Sequence, residues 1–450
     1  MGQLVWRGRP DERERGRAGA RLAIDAAHSE KEGAVGELRL QVDPGSVGLD
    51  GSRLARIEEH FRGYVDDGRL PGWLVAVSRH GRVAYLAHYG MMDLEAAVPV
   101  APETIWRIYS MTKPITSLAV MMLYEKGAFD LRDPVEEFIP SFAKGEVFTG
   151  GDATRPITTP VRAPIRIWHL LTHTAGLSYG SSDHPVDDAY RRAETKAQQG
   201  GAADLAHLVD VWATQPLRFE PGSAWFYSRA TDVLGRLVEV VSGQRLDEFF
   251  AEHIFGPLKM DDTSFVVPES KLARMASLYE VDPGTRRATP ASSARAPRTS
   301  PFLSGGGGLF STASDYHRFC HLLLAGGELD GVRLVGPRTL EFMTTNQLPE
   351  GRGLDALAID GASETPWEGM DFGLGFSVCR DPARSKIIAS PGEFGWGGAA
   401  STAFWVDPRE QLIVMFFTQL RPSSTWPIRA RLHQLVHQAI VEPLAAAHPS

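Results

Sequence analysis

After the first 40 residues, the spacing of apolar residues follows two periods, one typical of helices and one typical of strands. A helical period covers residues 54–64, and the segment 73–85 alternates on both sides of Gly81, which predicts a β-hairpin. Helical spacing returns over residues 110–126, and Gly127 then follows as a residue typical of the position after a helix. Helices and strands are therefore mixed in this part of the chain.

The middle and the end of the chain follow different patterns. Residues 135–270 are mainly helix-like and are broken by polar loops, whereas strand patterns return after about residue 300 and a last helix is predicted over 428–440. Strands near both ends with helices between them predict an α/β fold, a mainly antiparallel sheet flanked by helices with an inserted all-helical domain.

The same patterns divide the chain into segments. Residues 1–40 contain almost no aromatic side chains and are predicted to be a disordered leader. Residues 41–134 and 271–450 are predicted to form the α/β domain, and residues 135–270 the helical domain.

Charge and composition exclude several kinds of partner. The 450 residues carry 47 Lys and Arg against 55 Asp and Glu, a net charge of −8, and no basic cluster suits a nucleic-acid backbone. The apolar runs are far shorter than the ~20 residues that span a bilayer, and the first residues lack the pattern of a secretory signal. We therefore expect no nucleic-acid or membrane partner and a cytoplasmic location, and the sequence leaves the oligomeric state open. Cys320 and Cys379 show no metal-type spacing and are predicted to be buried thiols.

Three short motifs match functional signatures in their letters but not in their context. Residues 176–180 read G-L-S-Y-G, yet a nucleophile elbow needs a strand before its serine and a helix after it, whereas here a predicted helix precedes the motif and a predicted loop follows it. His169 and His173 have the spacing of zinc proteases without the glutamate base, so we expect them to cap and pack a helix. Residues 304–309 lack the lysine of a phosphate loop and are expected to form a turn beside a bulky group.

The motif with the best chemical case is Ser110-Met111-Thr112-Lys113. A spacing of three residues on a helix puts Ser110 and Lys113 on one face, so that the amine reaches the hydroxyl. A serine hydroxyl is a poor nucleophile until a base takes its proton, and a lysine with a lowered pKa is such a base. The start of a helix also stabilises the oxyanion that develops during acyl transfer. By itself the motif fits an ordinary helix cap with a solvated lysine equally well.

Further motifs make the assignment more specific. Residues 170–177 read LLTHTAGL, residues 219–228 FEPGSAWFYS and residues 254–263 IFGPLKMDDT. Together with the S-x-x-K motif, they make residues 50–420 resemble the serine hydrolases related to class C β-lactamases and penicillin-binding proteins. Trp396-Gly397-Gly398 stands where β-lactamases carry Lys-Thr-Gly, so the chain is most similar to the esterase branch, the family VIII carboxylesterases.

This resemblance implies a catalytic role for several residues. Ser110 is implied as the acylated nucleophile, and Lys113 with Tyr227 as one coupled base. The backbone N–H groups of Ser110 and Ala399 are implied as the oxyanion hole.

The resemblance also implies which residues meet the substrate. Trp396, Gly397 and Gly398 would line the site, and the indole offers an apolar wall where β-lactamases offer a cation. Arg229 replaces an asparagine of the β-lactamases and is either a surface residue or a ligand for a carboxylate or carbonyl. We count it among the candidates for substrate binding.

We therefore expect a serine hydrolase that cleaves small, short-chain carboxylic esters through an acyl-enzyme on Ser110, with no cofactor and no metal. The same site is compatible with a β-lactamase, a D-amino-acid peptidase or amidase, or an acyltransferase. A remoter alternative is a non-catalytic scaffold.

Overall fold

Short strands from both halves of the chain supply the β-structure. The computed structural model describes residues 38–199, 201, 203–291, 301–359 and 367–444. Its strands are, in chain order, β1 (Gly72–Arg79), β2 (Arg82–Asp93), β3 (Val98–Pro99), β4 (Ile105–Arg107), β5 (Glu146–Gly151), β6 (Pro156–Pro160), β7 (Tyr279–Val281), β8 (Ala288–Pro290), β9 (Phe310–Thr312), β10 (Glu328–Leu329), β11 (Val332–Arg333), β12 (Met370–Phe372), β13 (Ser377–Cys379), β14 (Phe394–Gly397), β15 (Ala403–Asp407), β16 (Leu412–Phe417) and β17 (Leu420–Arg421).

Eight of these strands form the main sheet. Their spatial order is β12-β13-β14-β15-β16-β1-β2-β3, and every pairing in the sheet is antiparallel. The hairpin predicted over residues 73–85 is β1 with β2, and β1 also pairs with β16 from the far end of the chain. The prediction of a mainly antiparallel sheet flanked by helices is therefore confirmed.

Helices lie on both faces of this sheet. Many of them also come, in chain order, between the strands β1 to β3 and the strands β12 to β16. The α-helices are α1 (Gly51–Asp66), α2 (Thr112–Glu125), α3 (Ile167–Leu171), α4 (Pro185–Gln199), α5 (Leu205–Ala213), α6 (Ala230–Ser242), α7 (Leu246–Phe250), α8 (Gly256–Leu258), α9 (Ala313–Leu324), α10 (Pro337–Met343), α11 (Leu354–Leu357), α12 (Pro382–Ser385) and α13 (Ile428–His437). Single 3₁₀ turns cover Pro44–Val47, Tyr109–Met111, Val135–Glu137, Pro140–Lys144, Glu269–Arg274, Pro349–Gly351 and Ser423–Thr425, and Ala251–Phe255 is a π-helical turn.

The central strands are buried on both faces, because successive side chains of a strand point to opposite sides. In β1, Leu74 and Ala76 join the large core that also contains α2 and α9. Trp73, Val75 and Val77 join a second core on the opposite face, which α1 and α13 cover. Strand β16 alternates in the same way, with Ile413, Met415 and Phe417 in the first core and Leu412, Val414 and Phe416 in the second.

The insert predicted to be all-helical is mainly helical but also contains a β-hairpin. Strands β5 and β6 pair antiparallel within residues 135–270, so the all-helical prediction needs this correction. The hairpin is short and largely exposed, with Val147 as its buried contact, and Phe148 N–H donates to the carbonyl of Leu217. An exposed, polar hairpin of this kind leaves almost no apolar alternation in the sequence.

The division into segments has a mixed outcome. From Leu38 onward the chain forms one compact unit, and the split into an α/β and a helical domain stays a prediction. The leader prediction falls almost wholly on residues 1–37, which lie outside the described residues. Cys320 and Cys379 are both free and buried, as predicted. No helix in the described ranges combines the length and the apolar character that crossing a membrane requires.

Candidate active site

Ser110 lies in a turn at the start of the buried helix α2. The turn Tyr109–Met111 comes first, and α2 begins directly after it at Thr112, so the helix starts slightly later than predicted. Tyr109 has a φ of 44°, which residues with a side chain rarely adopt. Its ring packs against Leu278, Ala291 and Ala400, and this packing stabilises the strained turn next to the serine.

Lys113 is the centre of a contact network beneath Ser110. Its side chain is almost completely buried, and Nζ donates hydrogen bonds to Ser110 Oγ at 3.1 Å and to the carbonyl oxygen of Gly306 at 2.6 Å. Nζ also lies 4.5 Å from the ring centroid of Tyr227 and 5.3 Å from that of Tyr179. The structure thus brings Ser110, Lys113 and Tyr227 together, as the sequence predicts.

The electrostatics of this network decide the protonation state of the lysine. Burial lowers the pKa of Lys113, but the phenol oxygens of Tyr179 and Tyr227 outweigh burial and raise the pKa above the usual range of lysine. Burial raises the pKa of Tyr179, and the neighbouring Lys113 charge only partly opposes this. The expectation of a lysine with a lowered pKa is therefore wrong, because two phenols stabilise its charged form.

Tyr179 is a site residue that the sequence analysis missed. Its ring centroid lies 5.2 Å from that of Tyr227, and both phenols interact with the ammonium group of Lys113. The residue stands in the motif G-L-S-Y-G, whose letters draw attention to its serine and not to its tyrosine. Its serine, Ser178, is buried and accepts the N–H of Gly180 at 2.9 Å, so it is an ordinary turn residue.

Gly398 lets the end of strand β14 approach the turn that carries the serine. A Cβ atom on Gly398 would lie 2.5 Å from the carbonyl oxygen of Ile108, which shortly precedes Ser110. Ala399 follows at the end of the strand, is exposed, and lines the same cleft as Ser110. The two residues predicted to form the oxyanion hole therefore face one cavity.

The cleft in front of Ser110 has a volume of about 480 Å³, a size suited to a small organic ligand. Trp396 forms one wall, and its Nε1 donates a hydrogen bond to the hydroxyl of Tyr227 at 3.3 Å. Arg429 from α13 also lines the cleft, and its guanidinium lies 1.9 Å from where a Cβ of Gly397 would be. An arginine beside an apolar wall was not predicted, because α13 is distant in sequence from the other motifs.

Arg229 is not among the described residues that line the cleft. Its guanidinium donates to both carboxylate oxygens of Glu194 at 3.0 Å each and lies 3.6 Å from Asp232 Oδ2. It also lies 4.9 Å from the ring centroid of Tyr179. This geometry gives no support to the suggested role of Arg229 in substrate binding. The carboxylates of Glu194 and Asp232 pair with its guanidinium, which lies next to the ring of Tyr179.

The glycine-rich segment 304–309 supports Lys113 from the other side. Asp232 Oδ1 accepts the hydroxyl of Ser304 at 2.5 Å and the N–H of Gly306 at 2.9 Å, which fixes the turn on helix α6. A Cβ on Gly305 would lie 2.8 Å from the carbonyl oxygen of Thr231, so only glycine allows this approach. The expected turn beside a bulky group is confirmed, and the group includes the catalytic candidate Lys113.

The two histidines with zinc-protease spacing pack and cap, as predicted. His169 Nδ1 accepts the N–H of Arg166 at 2.9 Å in the first turn of α3, and burial lowers its pKa to about 3. His173 lies with its ring centroid 4.9 Å from that of Tyr227, and burial, with the charge of Lys113, lowers its pKa well below the usual range. A neutral His173 therefore supports the aromatic side of the site.

Comparison with known proteins gives a consistent picture. The family model Beta-lactamase matches residues 57–438. Protein Rv1367c of Mycobacterium tuberculosis is 36% identical over 384 residues, which are 84% of this chain and 91% of that protein. Esterase EstB of Burkholderia gladioli is 31% identical over 394 residues, which are 84% of this chain and 93% of EstB.

Among solved structures, the chain is similar to EstCE1, described as a hydrolase with promiscuous acyltransferase activity. The two share 27% sequence identity with a TM-score of 0.69, over 87% of this chain and 99% of EstCE1.

Proposed function

Since the chain belongs to the beta-lactamase family, whose esterases are among its relatives, we propose that it is a serine carboxylesterase. It hydrolyses small, short-chain esters through an acyl-enzyme on Ser110. The observation that carries this proposal is the distance of 3.1 Å between Lys113 Nζ and Ser110 Oγ inside a cleft of ligand size.

In the acylation step, Ser110 Oγ attacks the carbonyl carbon of the ester and its proton passes to the Lys113–Tyr227 pair. The raised pKa of Lys113 keeps the pair positively charged at rest. The form that takes the proton of Ser110 is therefore the Lys113–Tyr227 pair that has lost one of its own protons. The N–H groups of Ser110 and Ala399 bind the negative oxygen of the tetrahedral intermediate. The C–O bond then breaks, and the leaving alkoxide takes the proton and departs as an alcohol.

Deacylation reverses these roles. A water molecule attacks the acyl carbon and gives its proton to the same pair, and Ser110 Oγ recovers a proton as the carboxylic acid leaves. No histidine or aspartate triad is needed for either step.

The walls of the cleft favour uncharged substrates. Trp396 and the aromatic residues near it offer apolar surface to an acyl or alcohol group. A β-lactam carboxylate would meet Arg429 in a cleft whose described lining also contains the carboxylate of Glu393. We therefore place neutral esters ahead of β-lactams.

An acyltransferase is the second candidate, because EstCE1 is described as having that activity in addition to hydrolysis. In that reaction an alcohol replaces water in the second step, and the residues of this site keep their roles. The amidase and peptidase alternatives change only the leaving group.

The test compares Ser110→Ala with Ser178→Ala, the serine of the rejected G-L-S-Y-G motif. Wild type is expected to hydrolyse p-nitrophenyl butyrate and to bind a fluorophosphonate at Ser110, detected by intact mass and peptide mapping. Ser110→Ala should lose about 10,000-fold or more in kcat and take no label. Ser178→Ala should keep both properties.

Other outcomes assign other functions. Opening of a chromogenic cephalosporin without ester hydrolysis would indicate a β-lactamase with the same nucleophile. Faster product release with an added alcohol, together with a new ester, would indicate an acyltransferase. A wild type that neither reacts nor takes the label would overturn the enzyme proposal in favour of a scaffold.

A further inference from the structure

A buried polar cluster lies between helix α13 and the ends of strands β14 and β15. Strands β14 and β15 pair so that Phe394 lies opposite Val406, which places Glu393 beside Asp407 just beyond this pair. His433 and His437 face them from α13, one helical turn apart. Asp407 is completely buried, and the Glu393 side chain is 7% exposed.

Three atoms of this cluster point toward one another without a hydrogen-bond partner among the described residues. They are Glu393 Oε2, Asp407 Oδ2 and His437 Nε2. All three lie within 4.8 Å of one another, and His437 Nε2 is 3.8 Å from Glu393 Oε2. Leaving several buried polar atoms unpaired in one place is unfavourable, so such a group calls for a ligand.

In each of these three side chains, the second oxygen or nitrogen atom takes part in a hydrogen bond. Asp407 Oδ1 accepts the N–H groups of Arg409 and Glu410 at 2.9 and 3.1 Å. Glu393 Oε1 accepts His433 Nε2 at 2.9 Å. His437 Nδ1 donates to the carbonyl of His433 at 3.0 Å, which leaves the lone pair of Nε2 directed at the carboxylates. Outer hydrogen bonds of this kind orient the ligands in metal sites.

The charges in the cluster also favour a cation. Two carboxylates lie side by side in a buried position, which is unfavourable without a positive partner. His433 contacts Glu393 Oε1 and the carbonyl oxygen of Arg429, so it leaves Glu393 Oε2 and Asp407 Oδ2 to another partner.

We propose that Glu393, Asp407 and His437 bind a divalent first-row transition ion such as Zn²⁺. Two carboxylate oxygens and one imidazole nitrogen are ligands that Zn²⁺ accepts at about 2.0–2.2 Å, with a water as fourth ligand. A tetrahedral arrangement at that radius places ligand atoms about 3.4 Å apart, so the 3.8 Å between His437 and Glu393 needs only a small contraction.

Such an ion would be structural with respect to the proposed esterase reaction. It would tie α13 to the ends of β14 and β15, and α13 carries Arg429, which lies against Gly397 in the cleft. Glu393 and His433 line the same cleft as Ser110, which gives the ion a route from solvent. This inference does not depend on the identity of the substrate.

The test measures Zn²⁺ binding to the full chain after treatment with a chelator, by calorimetry and by metal analysis. Wild type is expected to bind one ion per chain and to gain thermal stability on binding. His437→Gln should weaken binding at least about 100-fold and remove the thermal shift. His321→Gln, a histidine of helix α9 outside the cluster, is the matched control and should behave as wild type.

Two further variants keep the result interpretable. Asp407→Asn retains the oxygen that accepts Arg409 and Glu410, so it should fold, and it should abolish the visible absorption of Co²⁺ bound to the cluster. Ser110→Ala should bind Zn²⁺ as tightly as wild type while lacking esterase activity, which separates this proposal from the previous one. The site would be overturned if wild type shows no saturable binding, or if His437→Gln and Asp407→Asn bind as tightly as wild type. A proton shared between the carboxylates would then balance their charge.

Discussion

At the scale of single residues, the chemistry depends on which of two phenols serves Ser110. Tyr179 and Tyr227 both interact with Lys113, but only Tyr227 lines the cleft with the serine among the described residues. Tyr179 lies between Lys113 and the ion pair of Arg229 with Glu194. The two tyrosines therefore share a lysine and differ in their access to substrate.

Replacing each tyrosine separately should show this difference. Tyr227→Phe removes the proposed proton acceptor and should lower kcat by about 100- to 10,000-fold. Tyr179→Phe removes one hydrogen bond to a charged lysine and should lower kcat about tenfold. Steady-state kinetics with p-nitrophenyl butyrate measure both effects. The reverse order of losses would assign the proton transfer to Tyr179.

Asp315 is a second residue whose environment has a measurable consequence. It is 6% exposed in the first turn of α9, and burial raises its pKa to about 6, against the hydrogen bonds that it accepts from Thr263 and Asp262. The folded protein thus holds this proton more tightly than the unfolded chain, in which the pKa is near 3.8. The resulting stabilisation is complete below about pH 4 and is lost as the pH rises through about 6.

The change Asp315→Asn removes this titration while an amide oxygen remains to accept the same hydrogen bonds. Relative to wild type, the free energy of unfolding of the variant should rise by about 3 kcal/mol between acidic and neutral pH. Urea unfolding at a series of pH values measures the difference. A difference that stays constant with pH would contradict the raised pKa.

At the scale of secondary-structure elements, the site forms where the turn before α2 lies against the end of β14. Strand β4 leads into that turn and pairs with β9, and Ile108 N–H donates to the carbonyl of Leu309. On the other side, Gly398 N–H donates to the carbonyl of Thr402, which bends the chain after β14. These short elements set the distance between Ser110 and Ala399.

Gly398→Ala tests this arrangement. The added Cβ would lie 2.5 Å from the backbone oxygen of Ile108 and 2.2 Å from Thr402 Oγ1, so the strand end has to move away from Ser110. We expect kcat to fall about 100-fold, with about 1–3 kcal/mol lost in stability. Kinetics and urea unfolding of the same preparation separate the two effects.

Gly63→Ala is the matched control for this change. Gly63 lies inside α1, and a Cβ there would meet nothing within 4 Å. It should leave kcat unchanged and raise the stability by about 0.5–1 kcal/mol. An equal loss of activity in both variants would argue against a specific role of the β14 end.

At the scale of the whole molecule, one sheet joins the two ends of the described chain. Strands β1 and β2 come before α2, and β12 to β16 come after the helical insert, yet β1 and β16 are neighbours at the centre of the sheet. The serine and the strand that supplies Ala399 therefore come from opposite halves of the sequence. Folding of the whole unit is required before the cleft exists.

The first 37 residues offer a test of where this unit begins. Leu38 is 5% exposed and already belongs to the large core. A chain that starts at Leu38 should keep the melting temperature and the kcat/KM of the full chain, because the described residues of both cores and of the cleft all lie within 38–444. A clear fall in either quantity would show that the first 37 residues contribute to the fold.

The sequence by itself determined the class of fold, the antiparallel sheet and the contact between Ser110 and Lys113. Hydrophobic periods and the spacing of residues within one helix are local properties, so they follow directly from the sequence. The hairpin of β5 and β6 escaped because its exposed strands leave no apolar alternation.

Tertiary structure alone decided the rest of the site. It brought Tyr179 to Lys113, held Arg229 against Glu194, placed Arg429 in the cleft and gathered the carboxylates and histidines beside α13. It also raised the pKa of Lys113, which the sequence analysis expected to be lowered. These properties depend on which distant side chains become neighbours and on how far burial removes water from them, and neither is a function of local sequence.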